Sequence, residues 1–390
     1  MFRLTQLLRQ LLQAEASPGR HRQGAARWQG PVVVWNLLRR CNLQCRHCYS
    51  GSADRDFQGE LSRDEIFRVL EDLQACAVPA IILSGGEPLL HPELFAIAKR
   101  AKALGFYLGL SSNGTLMDAH KAAQIRAVGF DYVGVSLDGL EAHHDQNRVQ
   151  EGAFRQALAG IRACQQQGVK VGIRFTPTRE NSADLPGLFD LMAEEGIERF
   201  YLSHWNYAGR GKGNRADDAA RQTTRQMVSW LFALAYADWQ AGRDREIVTG
   251  NNDCDGPFFL QWVERHLPEH AERARELLLR WGGNASGVGI ANIDNRGIVH
   301  PDIFWWDHAL GSLREQSFAA IWQNSVDPLL QGLRQRPRPV KGRCATCRYL
   351  AICGGNTRVR AWQVTGDPWA EDPGCYLQES EILPGREDGS

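Results

Sequence analysis

From residue 31 onward, short runs of alternating apolar and polar positions are separated by longer stretches with helical spacing. β-Branched or aromatic runs fall at Val32–Asn36, Ala80–Ser84, Phe106–Ser111, Tyr132–Leu137, Val169–Phe175 and Arg199–Ser203, and each is predicted to be a strand. The helix after the first of them is the best defined. Ser62 is a good N-cap with Glu65 three residues on, a capping box, and Ile66, Val69, Leu70 and Leu73 then share one face. Strand–helix alternation of this kind predicts a parallel sheet, either doubly wound or a part-closed barrel. In both, ligands gather at the carboxyl ends of the strands.

Outside this region the pattern changes. Met1 to Leu12 is amphipathic and predicts a short helix docked on the main body, with a Gly/Arg/Gln-rich linker after it. Beyond about residue 204 the alternation stops, and a Gly/Arg-rich loop runs from Ala208 to Arg215. Two helices are predicted over 217–241 and 258–281. A hairpin, Val288–Ile293 and Gly297–His300, turns at Asp294-Asn-Arg-Gly297, and one more helix covers 315–331 before a Pro/Arg linker and a cysteine cluster. The resulting division is an N-terminal segment and linker (1–30), a barrel (31–215), a helical connection (216–285) and a C-terminal cysteine-rich region (286–390). No internal repeat or low-complexity tract is evident.

Composition narrows the function classes. The 390 residues are 43% hydrophobic, and 45 Lys plus Arg balance 45 Asp plus Glu. A net charge of zero provides no global field for nucleic acid or an anionic membrane, so neither is expected as a partner. The longest apolar run, Trp230 to Ala237, is far short of the roughly 20 residues that span a bilayer, and no signal-peptide pattern opens the chain. The expected location is cytoplasmic. In a reducing compartment ten cysteines are expected to bind metal or do chemistry rather than form disulfides.

Seven of the ten fall in two groups. Cys41, Cys45 and Cys48 follow the first strand in a Cys-x3-Cys-x2-Cys arrangement, enough to hold three corners of a cubane [4Fe-4S] cluster and leave one iron open. A zinc knuckle borrowing a distant His or Cys is the alternative. Cys344, Cys347, Cys353 and Cys375 supply four thiolates with no fifth nearby in sequence, which close either an iron–sulfur cluster or a zinc site. Cys76, Cys164 and Cys254 read as core or incidental residues, although Cys254 lies in a polar loop that can approach a ligand.

Cys-x3-Cys-x2-Cys at this place in a β/α series resembles the radical S-adenosylmethionine (SAM) superfamily, and the C-terminal spacing resembles the SPASM/twitch-like extension of that superfamily. The resemblance implies a partial (β/α)6 TIM-like barrel with a C-terminal iron–sulfur extension. It also implies a [4Fe-4S] cluster whose open iron binds SAM, and a 5′-deoxyadenosyl radical that abstracts a substrate hydrogen. Ser84-Gly-Gly-Glu-Pro88 matches the segment that meets the methionine amino group, assigning Gly85, Gly86 and Glu87 to it. Ser111 to Thr115 and Ser136 to Gly139 match ribose-facing segments, with Ser136 the chosen hydroxyl contact. His47, with Tyr49 beside it, matches the adenine position. Arg148 pairs with the methionine carboxylate or is a solvated or capping residue. Asp302 and Thr357 stand where a second auxiliary cluster would have cysteines, so one auxiliary [4Fe-4S] cluster is expected.

Four longer stretches, Gly30–Leu43, Ser203–Lys212, Ile293–Trp306 and Cys353–Arg360, are similar to radical SAM enzymes of haem d1 biosynthesis. The implied substrate is a tetrapyrrole, didecarboxysirohaem, which loses propionate side chains. A small redox protein is the implied electron donor. The sister enzymes of alternative haem synthesis and the peptide-modifying SPASM enzymes are the other readings; the stretch before the first strand is short for the leader-binding module of the latter. A flat disc rimmed by carboxylates wants aromatic walls and cationic donors. The twelve Trp residues include Trp205, Trp305 and Trp306, and Arg210, Lys212 and Arg215 lie on a Gly-spaced loop. His204 or His300 can serve as an axial ligand. Each of these also has a plain reading as core filler or solvated loop. The radical does the cleavage, so no catalytic acid or base is assigned.

Overall fold

A computed structural model describes residues 1–13 and 30–383; most of the linker expected before residue 30 lies outside the described residues. Strands β1 (Val32–Asn36), β2 (Ala80–Ser84), β3 (Tyr107–Ser112), β4 (Tyr132–Ser136), β5 (Val171–Phe175), β6 (Arg199–Ser203) and β7 (Glu246–Gly250) run parallel, side by side. Strand β8 (Ile290–Ile293) pairs parallel with β1 on its other side, and β9 (Ile298–His300) and β10 (Gly311–Ser312) extend that edge antiparallel. The sheet is curved by its helical crossovers and is not closed: its order is β10-β9-β8-β1-β2-β3-β4-β5-β6-β7. It is the partial barrel the alternation implied.

The period of two explains both faces. Val33, Trp35, Ile81, Leu83, Leu108, Leu110, Val133, Val135, Ile173, Phe175, Phe200 and Leu202 point outward and are at most 1% exposed beneath the helices. These helices are α2 (Arg63–Ala75), α3 (Leu94–Ala103), α4 (Ala119–Val128), α5 (Glu141–Arg148), α6 (Ala153–Gln166) and α7 (Leu185–Glu194). The capping box that starts α2 is present: the Glu65 amide donates to Ser62 Oγ at 3.4 Å and the Ser62 amide to Glu65 Oε2 at 2.8 Å. The inward positions turn polar toward the carboxyl ends, where Asn36, Ser84, Ser111, Ser136 and Arg174 line the lumen.

The helix at the N-terminus, α1 (Leu4–Leu12), docks as expected, burying Leu4, Leu8 and Leu11. It also protects a sheet edge, because the Phe2 backbone exchanges hydrogen bonds of 2.7 and 2.9 Å with Thr249 of β7. Three expectations need correction. Strand β7 stands where only helices were expected; Ile247 and Val248 are its only large apolar residues, and charges precede them. The helix expected over 258–281 is two, Asp255–His266 and Ala271–Trp281, because Pro268 cannot continue the first. The helix expected over 315–331 is also two, Phe318–Trp322 and Pro328–Arg334, the second starting at a proline capped by Asp327. Among the described residues no helix is long and apolar enough to cross a membrane.

Candidate cluster-binding and substrate site

The segment after β1 carries Cys41, Cys45 and Cys48 over the carboxyl ends of β2 to β4. Its leading leg is gripped by the Gly-Gly turn after β2. Gly86 N donates to Leu38 O at 2.8 Å and Glu87 N to Arg40 O at 2.9 Å. A Cβ on Gly86 would stand 2.1 Å from Arg40 O, backbone against backbone. The close approach these glycines permit is thus to the cysteine loop itself. Glu87 is fully buried, and its carboxylate accepts from Ser112 Oγ (2.8 Å), Asn113 N (2.8 Å) and Leu89 N (3.1 Å). It ties the ends of β2 and β3 together, leaving little of its acceptor capacity for an ammonium.

Donors surround the cysteine sulfurs. Leu43 N lies 3.4 Å from Cys41 Sγ, Asn113 Nδ2 3.9 Å from the same sulfur, and Arg148 Nη1 3.3 Å from Cys45 Sγ. Arg148 closes α5, is buried rather than solvated, and pairs through Nη2 with Asp138 Oδ2 at 2.6 Å. Burial works to raise the Asp138 carboxyl, but Arg148, His47 and His144 outweigh it and hold it below the usual carboxylate range. Burial pushes the metal-free Cys41 thiol up to about 12 and raises Cys45 as well. Thiols such as Cys41 and Cys45 that resist ionising alone, with N–H donors beside their sulfurs, suit ligation to iron, whose positive charge favours the thiolate. The residues therefore fit a cluster bound here.

The other sequence-assigned positions divide. His47 is held by Asn147 Oδ1 (3.3 Å) and Asp138 Oδ2 (3.5 Å), and its ring lies 5.7 Å from that of Trp205. Tyr49 receives a 2.9 Å hydrogen bond from Asn36 and packs edge-on to Phe304 at 5.6 Å, with Trp306 at 6.5 Å. Tyr49, Phe304 and Trp306 thus form an aromatic wall beside the cysteine loop. Ser136 faces the lumen. The Arg210 guanidinium donates to Cys45 O (2.8 Å) and Ser52 O (2.6 Å), bracing the loop. Lys212 is exposed. Arg215 lines a separate cavity of about 230 Å³ with His204, Tyr207, Arg360 and Tyr376. His204 is buried and paired with Asp255 at 3.0 Å. His300 is buried under Trp306, stacked at 6.0 Å, and its Nδ1 lies 2.8 Å from His308 O. Trp305 is core, packed with Leu329, Leu333 and Val359.

In the C-terminal region Cys344, Cys347, Cys353 and Cys375 lie close enough for their charges to act on one another. The fold adds a neighbour that sequence spacing did not show. Cys254, buried at the start of the helix Asp255–His266, comes within hydrogen-bonding reach of Cys375. Asp302 bonds Ser286 and Phe304 N, and Thr357 bonds Asn251 O at 3.0 Å, so both are occupied in structural contacts. Among the described residues, no three His, Cys, Asp or Glu side chains gather tightly enough for a single metal ion.

A part-open parallel barrel, with three cysteines over its strand ends and a second set of four beyond it, defines a class of enzyme. Such enzymes generate an organic radical from SAM at an iron–sulfur cluster. The profile of the radical SAM superfamily matches residues 35–200. The chain is 51% identical to the pre-heme d1 synthase of Dinoroseobacter shibae, over 98% of this chain and 93% of that one. It is 42% identical to the Fe-coproporphyrin III synthase of Methanosarcina barkeri, over 90% and 89%. Among solved structures, Streptococcus suis SuiB bound to S-adenosylmethionine superposes with a TM-score of 0.71 at 17% identity, covering 90% of this chain and 78% of that one. This protein belongs to the radical SAM superfamily, with the pre-heme d1 synthase among its curated relatives. It is a radical SAM enzyme, using a [4Fe-4S] cluster with SAM.

Proposed function

We propose that this enzyme removes propionate side chains from didecarboxysirohaem in the biosynthesis of haem d1. The observation that carries the reading is the 51% identity to a pre-heme d1 synthase along nearly the whole of both chains. The site supports it with the wall of Tyr49, Phe304 and Trp306, which suits a flat apolar ring. When bound, the cluster and SAM supply an electron and a 5′-deoxyadenosyl radical that takes a hydrogen atom from a propionate carbon.

The chain's own residues do the rest. Cys41, Cys45 and Cys48 hold the cluster, and Arg148 stabilises the Cys45 thiolate while Asp138 fixes the guanidinium. Gly85 and Gly86 lock the loop in place, and Ser136 and His47 face the space assigned to SAM. Cys344, Cys347, Cys353 and Cys375 hold the auxiliary cluster, and a small redox protein in the cytoplasm supplies the electron. Anaerobically reconstituted protein is incubated with SAM, dithionite and each candidate tetrapyrrole, with products read by mass spectrometry. The expected result is propionate loss from didecarboxysirohaem; turnover of a coproporphyrin-type substrate alone would overturn the reading, as would formation of Fe-coproporphyrin III, which would favour the chemistry of the second relative.

A further inference from the structure

We propose that Arg174 anchors a carboxylate of the tetrapyrrole inside the barrel, an inference that rests on the function proposed above and adds a residue to it. Arg174 faces inward from β5, in register with Ser136 of β4 and Tyr201 of β6. It is the last inward residue of β5, and the last inward residues of the neighbouring strands, Asn36, Ser84, Ser111, Ser136 and Ser203, are all uncharged.

Comparison with neighbouring arginines shows how unusual this is. Lower in the lumen, Arg199 pairs with Glu246 at 3.1 Å. At the cluster loop Arg148 pairs with Asp138 at 2.6 Å. Arg174, half-buried, makes no ion pair among the described residues, and Ser111 Oγ is its one side-chain hydrogen-bond partner. Its guanidinium lies 5.2 Å from the Tyr201 ring centre, and its charge also reaches Tyr49 and Tyr132. Space for the side chain is built in: a Cβ on Gly134 would stand 3.0 Å from Arg174 Cδ.

A half-buried cation with most of its N–H fork free of protein partners keeps that fork available to an anion. A carboxylate is the planar partner that fork fits. The SAM end of the site already has a cation in Arg148, beside the Cys45 sulfur. This leaves Arg174 for the substrate, and a propionate held there is fixed in position relative to the cluster loop.

The test compares the cluster-loaded wild type with Arg174→Gln and Arg174→Lys. Iron content and circular dichroism check that each variant is folded and loaded. Iron didecarboxysirohaem is titrated by its visible absorption, and SAM by equilibrium dialysis. Arg174→Gln is expected to weaken tetrapyrrole binding about 10- to 100-fold, with SAM affinity changed less than twofold and Arg174→Lys in between. The methyl-esterified tetrapyrrole is expected to bind wild type and Arg174→Gln equally. Weakened SAM binding with unchanged tetrapyrrole affinity would assign Arg174 to the SAM carboxylate and overturn the proposal, as would no change in either. Wild type that binds no tetrapyrrole would overturn the functional reading and this proposal together, whereas wild-type binding that ignores Arg174→Gln would overturn only the latter.

Discussion

Arg360 offers the sharpest test of how the C-terminal region is held to the barrel. Its side chain is 1% exposed and Asp372 is 2% exposed. The two meet as a fork, Nε to Oδ1 at 3.0 Å and Nη2 to Oδ2 at 2.8 Å, while Nη1 donates to Asn251 O at 2.7 Å and Trp205 O at 3.2 Å. One guanidinium therefore joins the loops after β6 and β7 to the segment bearing Cys375, whose amide bonds Asp372 O at 3.1 Å. Arg360→Met keeps an apolar stem but leaves a buried carboxylate alone. Removing one partner of such a pair costs about 3–5 kcal/mol. With a urea m-value of about 3 kcal/mol/M, that is a midpoint shift of roughly 1–1.7 M. The assay is anaerobic urea unfolding followed by circular dichroism. Arg360→Met/Asp372→Leu is expected to lose less than Arg360→Met alone, because no buried charge remains. Burial opposes ionisation of Asp372, and Arg360 overrides it to keep the carboxyl below the usual range. In the wild type this contribution is present above the ordinary carboxylate pKa and is lost as pH falls through the lowered one. Without Arg360 the carboxyl rises instead, so the deficit should narrow on acidification. A loss under about 1 kcal/mol for Arg360→Met, or strict additivity in the double variant, would refute the reasoning.

Two further outcomes follow from the geometry. Gly86→Ala drives a Cβ into Arg40 O, 2.1 Å away in the present backbone, so the first cysteine loop must move; iron analysis should show about half the iron lost, with the auxiliary cluster retained. His144 is buried, its Nδ1 accepts from Asp138 N at 2.9 Å, and burial lowers its pKa to about 3. The unfolded chain therefore binds the extra proton, so stability should fall as pH drops below about 6.5, by on the order of 2 kcal/mol at pH 5. His144→Gln should flatten that part of the profile of unfolding midpoints, and an unchanged slope would count against the assignment.

What the sequence revealed follows the range of the forces involved. β1, β2 and β6 were legible residue for residue because alternation and turn chemistry are local, and the Ser62 capping box was legible for the same reason. β7 was not, since two apolar residues among charges carry no periodic signal and its strand character comes from pairing with β6. The cysteine spacing showed two metal-binding sets. It could not show Cys254 beside Cys375, which are 121 positions apart and meet only through the fold. Arg210 shows the limit for charged residues: a basic Gly loop at a strand end looks the same in sequence whether it meets a ligand or clamps backbone carbonyls. Arg174 did leave a trace, because an arginine at an inward position of the apolar run Val171–Phe175 has no reason to be there as core.

The pairing of β8 with β1 has a consequence for how the chain is made. β1 is bordered on one side by a strand 44 residues beyond it, but on the other by Asn292, whose Nδ2 bonds Val34 O across 258 positions. During synthesis at about 5–20 residues per second, that second edge stays open for roughly 13–50 s after β1 emerges. Val32–Asn36 is apolar and strand-forming, so for that interval the nascent barrel carries a sticky edge that its own C-terminal third must reach before another chain does.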